Sequence, residues 1–443
     1  MTLSVNKGLS GFARLPGSGR KGATLLGRPN LFTSYERESR IFTSTTQKVV
    51  AAVIIVVLFL MPFELPVINQ IPIIRFLGDG PYLRPVSTTL VYIVAALGLN
   101  LLLGVAGQVS IGHAFFMGAG AYAAAFLGGE ATSTVYGHGL PIWIWLPGAG
   151  VTAAAIGVLI APVAVRLRGL YLAIVTLGLV FLGIHMGNMD WGRKFAGDPG
   201  LGRDFPSLEL ALWKGQDPII STADDGRWLW FDVTKAEKIY LVLLCITLFM
   251  VVLAKNIIRS RTGRALQAIR DRDVAAEVMG IPEFKYKVIA FALSSFFAGI
   301  GGALLASLVG KLPAIEWDLF LSVEFVAILL IGGLGTISGT VLGAIFVVLG
   351  PRLIEEVTKW LESQTEATGP VATVADLIVT DGANDFGPVS TATQSPGWPM
   401  SIFSWNVVIY GLLIVVFLIF EPLGLYGIWL NIKSYFKRWP FSY

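Results

Sequence analysis

Three histidines and a single cysteine are all the imidazole and thiol that 443 residues contain, and charged residues make up only 14% of the chain. The cysteine, Cys245, lies inside an apolar run, so no intrachain disulfide can form and the redox compartment goes unmarked. No carboxylates are paired for acid–base work, no His/Cys cluster has metal-ligand spacing, and no nucleophile motif is present. Catalysis, metal binding and a resident cofactor therefore have no residues to carry them, and no nucleic-acid partner is expected. Also missing is a series of Asp, Glu and Arg within the apolar runs that would bind coupling protons or sodium ions. Any work this chain does must be energised from outside it. One near-match to a phosphate-binding loop, "GSGRKGAT" (Gly17–Thr24), has Ala23 where the lysine is required and no strand or helix framing its glycines, so it predicts no ATP site.

What is abundant is apolar. Hydrophobic residues make up 54% of the chain and recur in runs from Val49 onward, which is the membrane class on composition alone. The 50 glycines exceed the usual share of about 7%, as expected where helices must approach closely without a hydrophobic force to bring them together. Candidate spans are 49–63, 85–104, 109–127, 141–165, 169–187, 238–254, 288–309, 320–334, 338–353 and 404–421. Most approach the roughly 17–25 residues needed to cross hydrocarbon. The eighth and ninth are short and separated by "GGLGTISG", so a re-entrant pair is an alternative there. The expected fold is all-α: a polytopic helical membrane protein of about ten transmembrane or re-entrant helices. Val49–Met61 reads as a retained first helix, because its polar leader is too long for a signal peptide and no small-residue cleavage site follows.

Charge sets the expected orientation, since basic loops are kept on the cytoplasmic side. Residues 1–48 carry eight Lys/Arg against two acids and read as a basic, disordered cytoplasmic tail. Residues 255–287 carry another eight Lys/Arg, and the C-terminal segment adds Lys433, Lys437 and Arg438. Residues 354–403 hold seven acids and one lysine, and 188–237 nine acids against six Lys/Arg; both fall outside. The organisation expected is thus a tail (1–48), a membrane domain (49–353) with an external loop at 188–237 and a cytoplasmic segment at 255–287, an external low-complexity insertion (354–403), and a last span with a basic tail (404–443). The 188–237 loop, with "GDPGLGRDFP" and several tryptophans, suits a folded cap. Residues 361–400 suit a mobile insertion. Both termini are expected to be cytoplasmic, in a plasma membrane.

Small residues at four-residue spacing mark helix contacts. Ala106, Ser110, Ala114 and Gly118 form one such row; Ser295, Gly299, Ala303 and Ser307 a second; Gly335, Gly339 and Gly343 a third. Close packing explains the spacing by itself. Polar residues in the first segment ask for more: Gln108, Ser110 and His113 lie at a glycine-interrupted helix start, where freed backbone groups can face a water-filled path and receive a carboxylate. Glu324 is a further pathway candidate, or else a residue of the outer interface near Asp318.

The segment "SRTGRALQAIRDRDVAAEVMGIPEFKYK" (Ser260–Lys287) interrupts two apolar runs with a helix too polar for the bilayer. Ala265, Ala268, Ile269, Ala275, Ala276 and Met279 form its small face, and Arg264, Arg270, Asp271 and Glu277 point elsewhere. Gly280 and Pro282 end it. Such a helix suits docking in another protein's groove, or lying on anionic lipid at the inner surface.

"AAEVMG" (Ala275–Gly280) resembles the core of the loop that importer permeases of the ABC class insert into their ATPases, with Val274 where the usual glutamate stands. With it, "GQVSIGHAFFMGAGAYAAA", "RLRGLYLAIVTLGL", "GDPGLGRDFP" and "GGLGTISGTVLGA" resemble, in order, the LivM-type permease of branched-chain amino acid importers. The resemblance covers about residues 85–355 and the last span. It implies a cytoplasmic coupling helix in which Arg264, Arg270, Asp271, Ala275, Ala276 and Gly280 dock an ATPase. It also implies a complex with a LivH-type permease, two cytoplasmic ATP-binding subunits and an external substrate-binding protein. Urea and short-chain amide importers have similar permeases. An ion-coupled secondary transporter or a purely structural membrane subunit would leave residues 260–287 without a task.

Overall fold

In hydrocarbon a peptide group has no water to bond, so an apolar run must close its own hydrogen bonds, and the helix does so locally. The computed structural model describes residues 45–63, 80–167, 169–209, 222, 226–228, 231–365, 379–380, 389–390, 400–401, 408, 411–412, 415, 419 and 424–437. Over these residues the fold is all-α, with strands of only two or three residues. In chain order the helices are α1 (Thr45–Leu60), α2 (Gly80–Leu99), α3 (His113–Gly128), α4 (Ile142–Arg166), α5 (Leu170–Asn188), α6 (Asp190–Ala196) and α7 (Lys235–Arg259). Two short helices follow, α8 (Arg261–Asp271) and α9 (Asp273–Val278), then α10 (Glu283–Val309), α11 (Leu319–Gly332), α12 (Ile337–Thr365) and α13 (Leu425–Lys437). Helix α2 continues as a π-helix over Asn100–Val105. Chain contacts divide the protein into a large unit, Ala52–Leu430, and a small one made of the two ends, of which Thr45–Ala51 and 431–437 are described and helical.

Five stretches are long and apolar enough to cross a bilayer: Tyr82–Val105, Ile142–Arg166, Tyr171–Asn188, Lys235–Arg259 and Glu283–Val309. Ala314–Gly332 and Ile337–Leu353 pass only as a pair, bent by 120°. Lys48–Leu60 and His113–Gly128 are shorter apolar helices. Helices thus occupy nine of the ten expected spans, and the described positions of the tenth are helical as well. Two boundaries differ. The span expected from residue 109 starts only at His113, because Gly107 turns the chain at φ +70°. The helix expected to stop at 353 runs on to Thr365. Residues 1–44, with Gly17–Thr24, lie outside the described residues, as does most of 366–423.

Helix α10 is the centre of the large unit. Ser295, Gly299 and Ala303 of the expected row are buried along it, and α3 and α4 cross there. Gly120 of α3 abuts the backbone of Gly299, whose far side faces Ala149 and Ala153 of α4, and Gly302 abuts Met117. With lipid as solvent, this backbone contact supplies the dispersion attraction that a water-driven core would not need. The same requirement brings α11 onto α12, where Gly343 lies against Gly332 and the Ile328 carbonyl. Helix α7 starts on a capping box: Thr234 Oγ1 accepts from Glu237 N at 3.4 Å, and Thr234 N donates to Glu237 Oε2 at 2.8 Å.

At the end of the bundle opposite α8, part of the 188–237 segment folds against the helices. Strand β1 (Arg203–Asp204) pairs antiparallel with β4 (Lys311–Leu312), and β2 (Gly226–Trp228) with β3 (Phe231–Val233). Arg203, 4% exposed, donates to the carbonyls of Phe195, Ala125 and Tyr136, each at 2.9 Å. Burial draws its guanidinium below the usual arginine value, opposed by Tyr122 and Asp204, but it stays charged at any working pH.

The crossing of α3 on α10 makes a direct prediction. Gly120→Leu drives a side chain into the Gly299 backbone and lowers the thermal midpoint of the detergent-purified protein, by an overpacking cost of about 1–3 kcal/mol or more. Gly178→Leu, on an exposed face of α5 with nothing within 4 Å, leaves it unchanged. Equal midpoints for both variants would show that the crossing does not hold the bundle.

Candidate functional site

Two breaks in the helices face each other. The first, Ala106–Gly112, is non-helical backbone between the π-helix and α3. Several of its amides are met: Gln108 N bonds the Leu102 carbonyl at 3.0 Å, Ile111 N bonds Thr176 Oγ1 of α5 at 3.0 Å, and Gly112 N bonds Ser110 Oγ at 3.4 Å. Ala114 N, in the first turn of α3, bonds Ser322 Oγ of α11 at 3.0 Å. Irregular backbone in a membrane domain survives only with such partners. The break also shortens the expected small-residue row: Ala106 and Ser110 stand outside the helix, leaving Ala114 and Gly118 on α3, where Gly118 packs on Trp317.

Gln108 and Ser110 belong to this break, His113 begins α3 just after it, and all three are at most 6% exposed. They differ in what they bond. His113 Nε2 lies 2.9 Å from the Ala95 carbonyl and its ring meets Phe325 edge-on at 5.3 Å, a satisfied packing environment. Neither amide atom of Gln108 has a hydrogen-bond partner, although both are buried. Glu324 stands further along α11 and is half-buried; the Tyr92 hydroxyl donates to its Oε2 at 3.4 Å, and Tyr92 lies 4.9 Å from Phe325. Phe325 therefore connects His113 to the Tyr92–Glu324 pair.

The second break, Gly333–Thr336, makes the 120° bend between α11 and α12. Gly335 sits at φ +77°, so it is a turn residue and not part of a helical row with Gly339 and Gly343. The second break is fastened by Asn100, at the start of the π-helix that leads into the first: its Oδ1 accepts from Gly335 N at 2.8 Å and its Nδ2 donates to the Thr336 carbonyl at 3.3 Å. Asn100 escaped the sequence reading, although a lone amide in an apolar span is costly and for that reason worth noticing.

Residues 260–287 form two helices, not one. Arg272 is extended at φ −157°, ψ +103°, between α8 and α9. Part of the small face expected to point outward is turned inward: Ala265, Ile269 and Ala276 are buried, as is Leu266, because α8 packs on α7, α10 and the π-helix. The rest of that face, Ala275 and Met279, is exposed, Met279 at 82%, beside Val274 and Val278 at 67% and 82%. Arg264 and Asp271 are exposed. Arg270 is exposed too, but its Nη1 also donates inward, to the Gly104 carbonyl at 2.7 Å. Gly280, at φ +84°, closes α9 in a Schellman motif: its N–H bonds Glu277 O at 2.9 Å and Ile281 N bonds Ala276 O at 3.0 Å. A cavity of about 270 Å³ lies between this segment and the first break, lined by Gly107, Gln108, Leu172, Arg270 and Arg272 among others. A smaller apolar one, about 190 Å³, lies toward Arg203 between Phe115, Tyr122, Trp191 and Trp317. Among the described residues no group of three or more His, Cys, Asp or Glu is placed to hold a metal ion.

Residues 82–418 match a family described as branched-chain amino acid transport system, permease component. Similar curated proteins include the high-affinity branched-chain amino acid transport system permease protein LivM of Escherichia coli (strain K12), 30% identical over 284 residues. The LivM of Salmonella typhimurium (strain LT2) matches to the same extent, and in both the aligned region covers 62% of this chain and 64% of the relative. A shorter match, 26% identical over 156 residues, is to the autoinducer 2 import system permease protein LsrC of Photorhabdus laumondii, covering 31% of this chain and 44% of the relative. No solved structure matches the chain.

Two buried amides give opposite expectations. Gln108→Leu removes two unpartnered polar atoms and raises the thermal midpoint, by the desolvation cost of about 1–3 kcal/mol that such groups carry. Asn100→Leu strands the Gly335 N–H and lowers the midpoint by a similar amount. A drop for both variants in differential scanning fluorimetry would show that the Gln108 amide is bonded after all.

Proposed function

This chain belongs to the branched-chain amino acid permease family, and from that membership we propose that it is a membrane-spanning permease subunit of an ATP-driven ABC importer for branched-chain amino acids. The observation that carries the reading is α9. This six-residue helix and its C-cap present Val274, Val278 and Met279 to solvent in a chain segment rich in Lys/Arg. An apolar ridge of this kind fits a groove on a partner. We assign that partner as a cytoplasmic ATP-binding subunit, with Arg264, Asp271 and Ala275 at the rim of the contact and Gly280 closing the helix. The buried Ala276 then supports the ridge from below.

The rest of the assembly follows from the same reading: a LivH-type permease beside this chain, two ATP-binding subunits and an external substrate-binding protein that performs most of the selection. The spread of Lys/Arg and acids along the sequence supports a cytoplasmic location for both termini. The passage is proposed to run beside the first break, where Gln108 and Ser110 stand among small residues, with Glu324 toward the other end. His113, bonded to Ala95, supports that wall. An apolar solute with a zwitterionic head asks for such a mixture of apolar surface and a few unpaired polar groups.

The test is reconstitution. The complex is expected to co-purify with two ATPase chains and to load vesicles with leucine, isoleucine or valine only when ATP and binding protein are supplied. Uptake that continues without nucleotide and collapses with the proton or sodium gradient would instead identify a secondary transporter. Gly280→Val forces a β-branched residue to φ +84°, costing about 1–3 kcal/mol at the end of α9, and is expected to weaken ATPase association on the order of tenfold while membrane insertion stays normal. Undiminished association by pull-down would remove α9 from the docking surface.

A further inference from the structure

Arg270 occupies a position that packing of α8 does not by itself require. The side chain leaves the last turn of α8 and reaches the Gly104 carbonyl inside the π-helix at 2.7 Å, while Asp271 Oδ1 lies 3.3 Å from its Nη2. Two glycines make room for it. Gly107, at φ +70°, lies so close over the stem that a methyl there would stand 2.6 Å from Arg270 Cγ. A methyl at Gly335 would stand 3.2 Å from Arg270 Nη1 and 3.1 Å from the Gly104 carbonyl. Gly335 is in turn held to the π-helix by Asn100, through the 2.8 Å bond to its N–H. One guanidinium thus touches the end of the two-helix segment, the π-helix and the bend between α11 and α12 together.

We propose that Arg270 is a positioning residue that transmits displacement of α8–α9 to both helix breaks. This inference rests on the importer reading and adds to it the place where ATP-driven motion enters the membrane domain. The geometry supplies what transmission needs. Arg272, extended between α8 and α9, lets the outer helix tilt against the inner one. A π-helix carries one residue more per hydrogen-bonded ring than an α-helix, so Asn100–Val105 has a second, α-helical register within reach, and discrete alternatives of this sort are what packed interiors use to amplify small shifts. The Gly104 carbonyl gripped by Arg270 belongs to that element, and the bend at Gly333–Thr336 hangs from the same element through Asn100. Moving Arg270 therefore moves the floor of the first break and the bend of the second in one step. The alternative is a static staple that merely fastens α8 to the bundle.

Arg270→Met tests this, because it keeps the stem under Gly107 and deletes the donor; Arg270→Lys returns one donor. In the full reconstituted complex, Arg270→Met is expected to co-purify with both ATPases and hydrolyse ATP at a basal rate within about twofold of wild type. Solute moved per ATP is expected to fall on the order of tenfold, equivalent to about 1.4 kcal/mol of lost coupling, with substantial recovery in Arg270→Lys. Hydrogen exchange gives a second reading: a non-hydrolysable ATP analogue changes exchange over residues 100–107 and 333–339 in the wild-type complex but not in Arg270→Met. Wild-type stoichiometry in Arg270→Met overturns the proposal. So does loss of assembly in Arg270→Met with the exchange response unaltered in Arg270→Lys and no gain in transport, which is the behaviour of a staple. A wild-type complex that neither binds ATPases nor transports on ATP overturns the importer reading itself, a result separable from failure of Arg270 alone.

Discussion

Every peptide group that leaves a helix within a membrane domain must find a partner in protein, because the surrounding hydrocarbon offers none. The rest of this structure depends on how that obligation is met at two places, Ala106–Gly112 and Gly333–Thr336. Thr176 and Ser322 reach in from α5 and α11 to take amides at the first, and Asn100 takes an amide and a carbonyl at the second. These polar side chains hold four helices around the breaks more specifically than apolar contact would, since a hydrogen bond has a direction and dispersion does not. The helices can pack where they do because the breaks are satisfied there.

Glycine supplies the complementary half. Around α10 the close approaches at Gly120, Gly299 and Gly302 let backbones touch, which in lipid replaces the water-driven association of soluble helices. At Gly107 and Gly335 the role is different: a left-handed backbone lets the chain double back over Arg270 without a Cβ in the way. The same residue type thus builds a rigid centre in one place and admits a cation to the backbone in another. Rigidity around α10 and polar, irregular backbone beside it are the combination a solute passage requires, because a fixed wall is needed for a moving one to work against.

The membrane class, the helices and most of their positions were legible in the sequence, since runs of apolar residues of spanning length leave the chain no other stable form. The ordered motifs carried the family likewise. Less could be read of the site. Four-residue spacing put Ala106 and Ser110 on a helix and Gly335 in a row with Gly339 and Gly343, but spacing assumes the helix it is meant to reveal, and a positive φ at Gly107 and Gly335 ends it. The amphipathic pattern of residues 260–287 located a small face whose α8 half is buried while Ala275 and Met279 stay exposed, because small apolar residues suit either a partner's groove or the chain's own bundle. Arg270 is an exposed charge in the structure as in the sequence, and what escaped the reading is its second bond: nothing local to it announces a carbonyl 166 residues earlier in the chain.

Composition and hydropathy by themselves determined that this chain is a helical membrane protein, because the cost of burying an unpaired peptide group or charge in lipid is large enough to decide the matter residue by residue. Tertiary structure alone decided which polar groups are satisfied. His113, Ser110 and Gln108 stand within six residues of one another and look alike in sequence, yet His113 meets the Ala95 carbonyl while the Gln108 amide meets nothing. That difference rests on where the backbone of α2 passes relative to the break, a distance set by packing across the bundle and not by any neighbour in the chain.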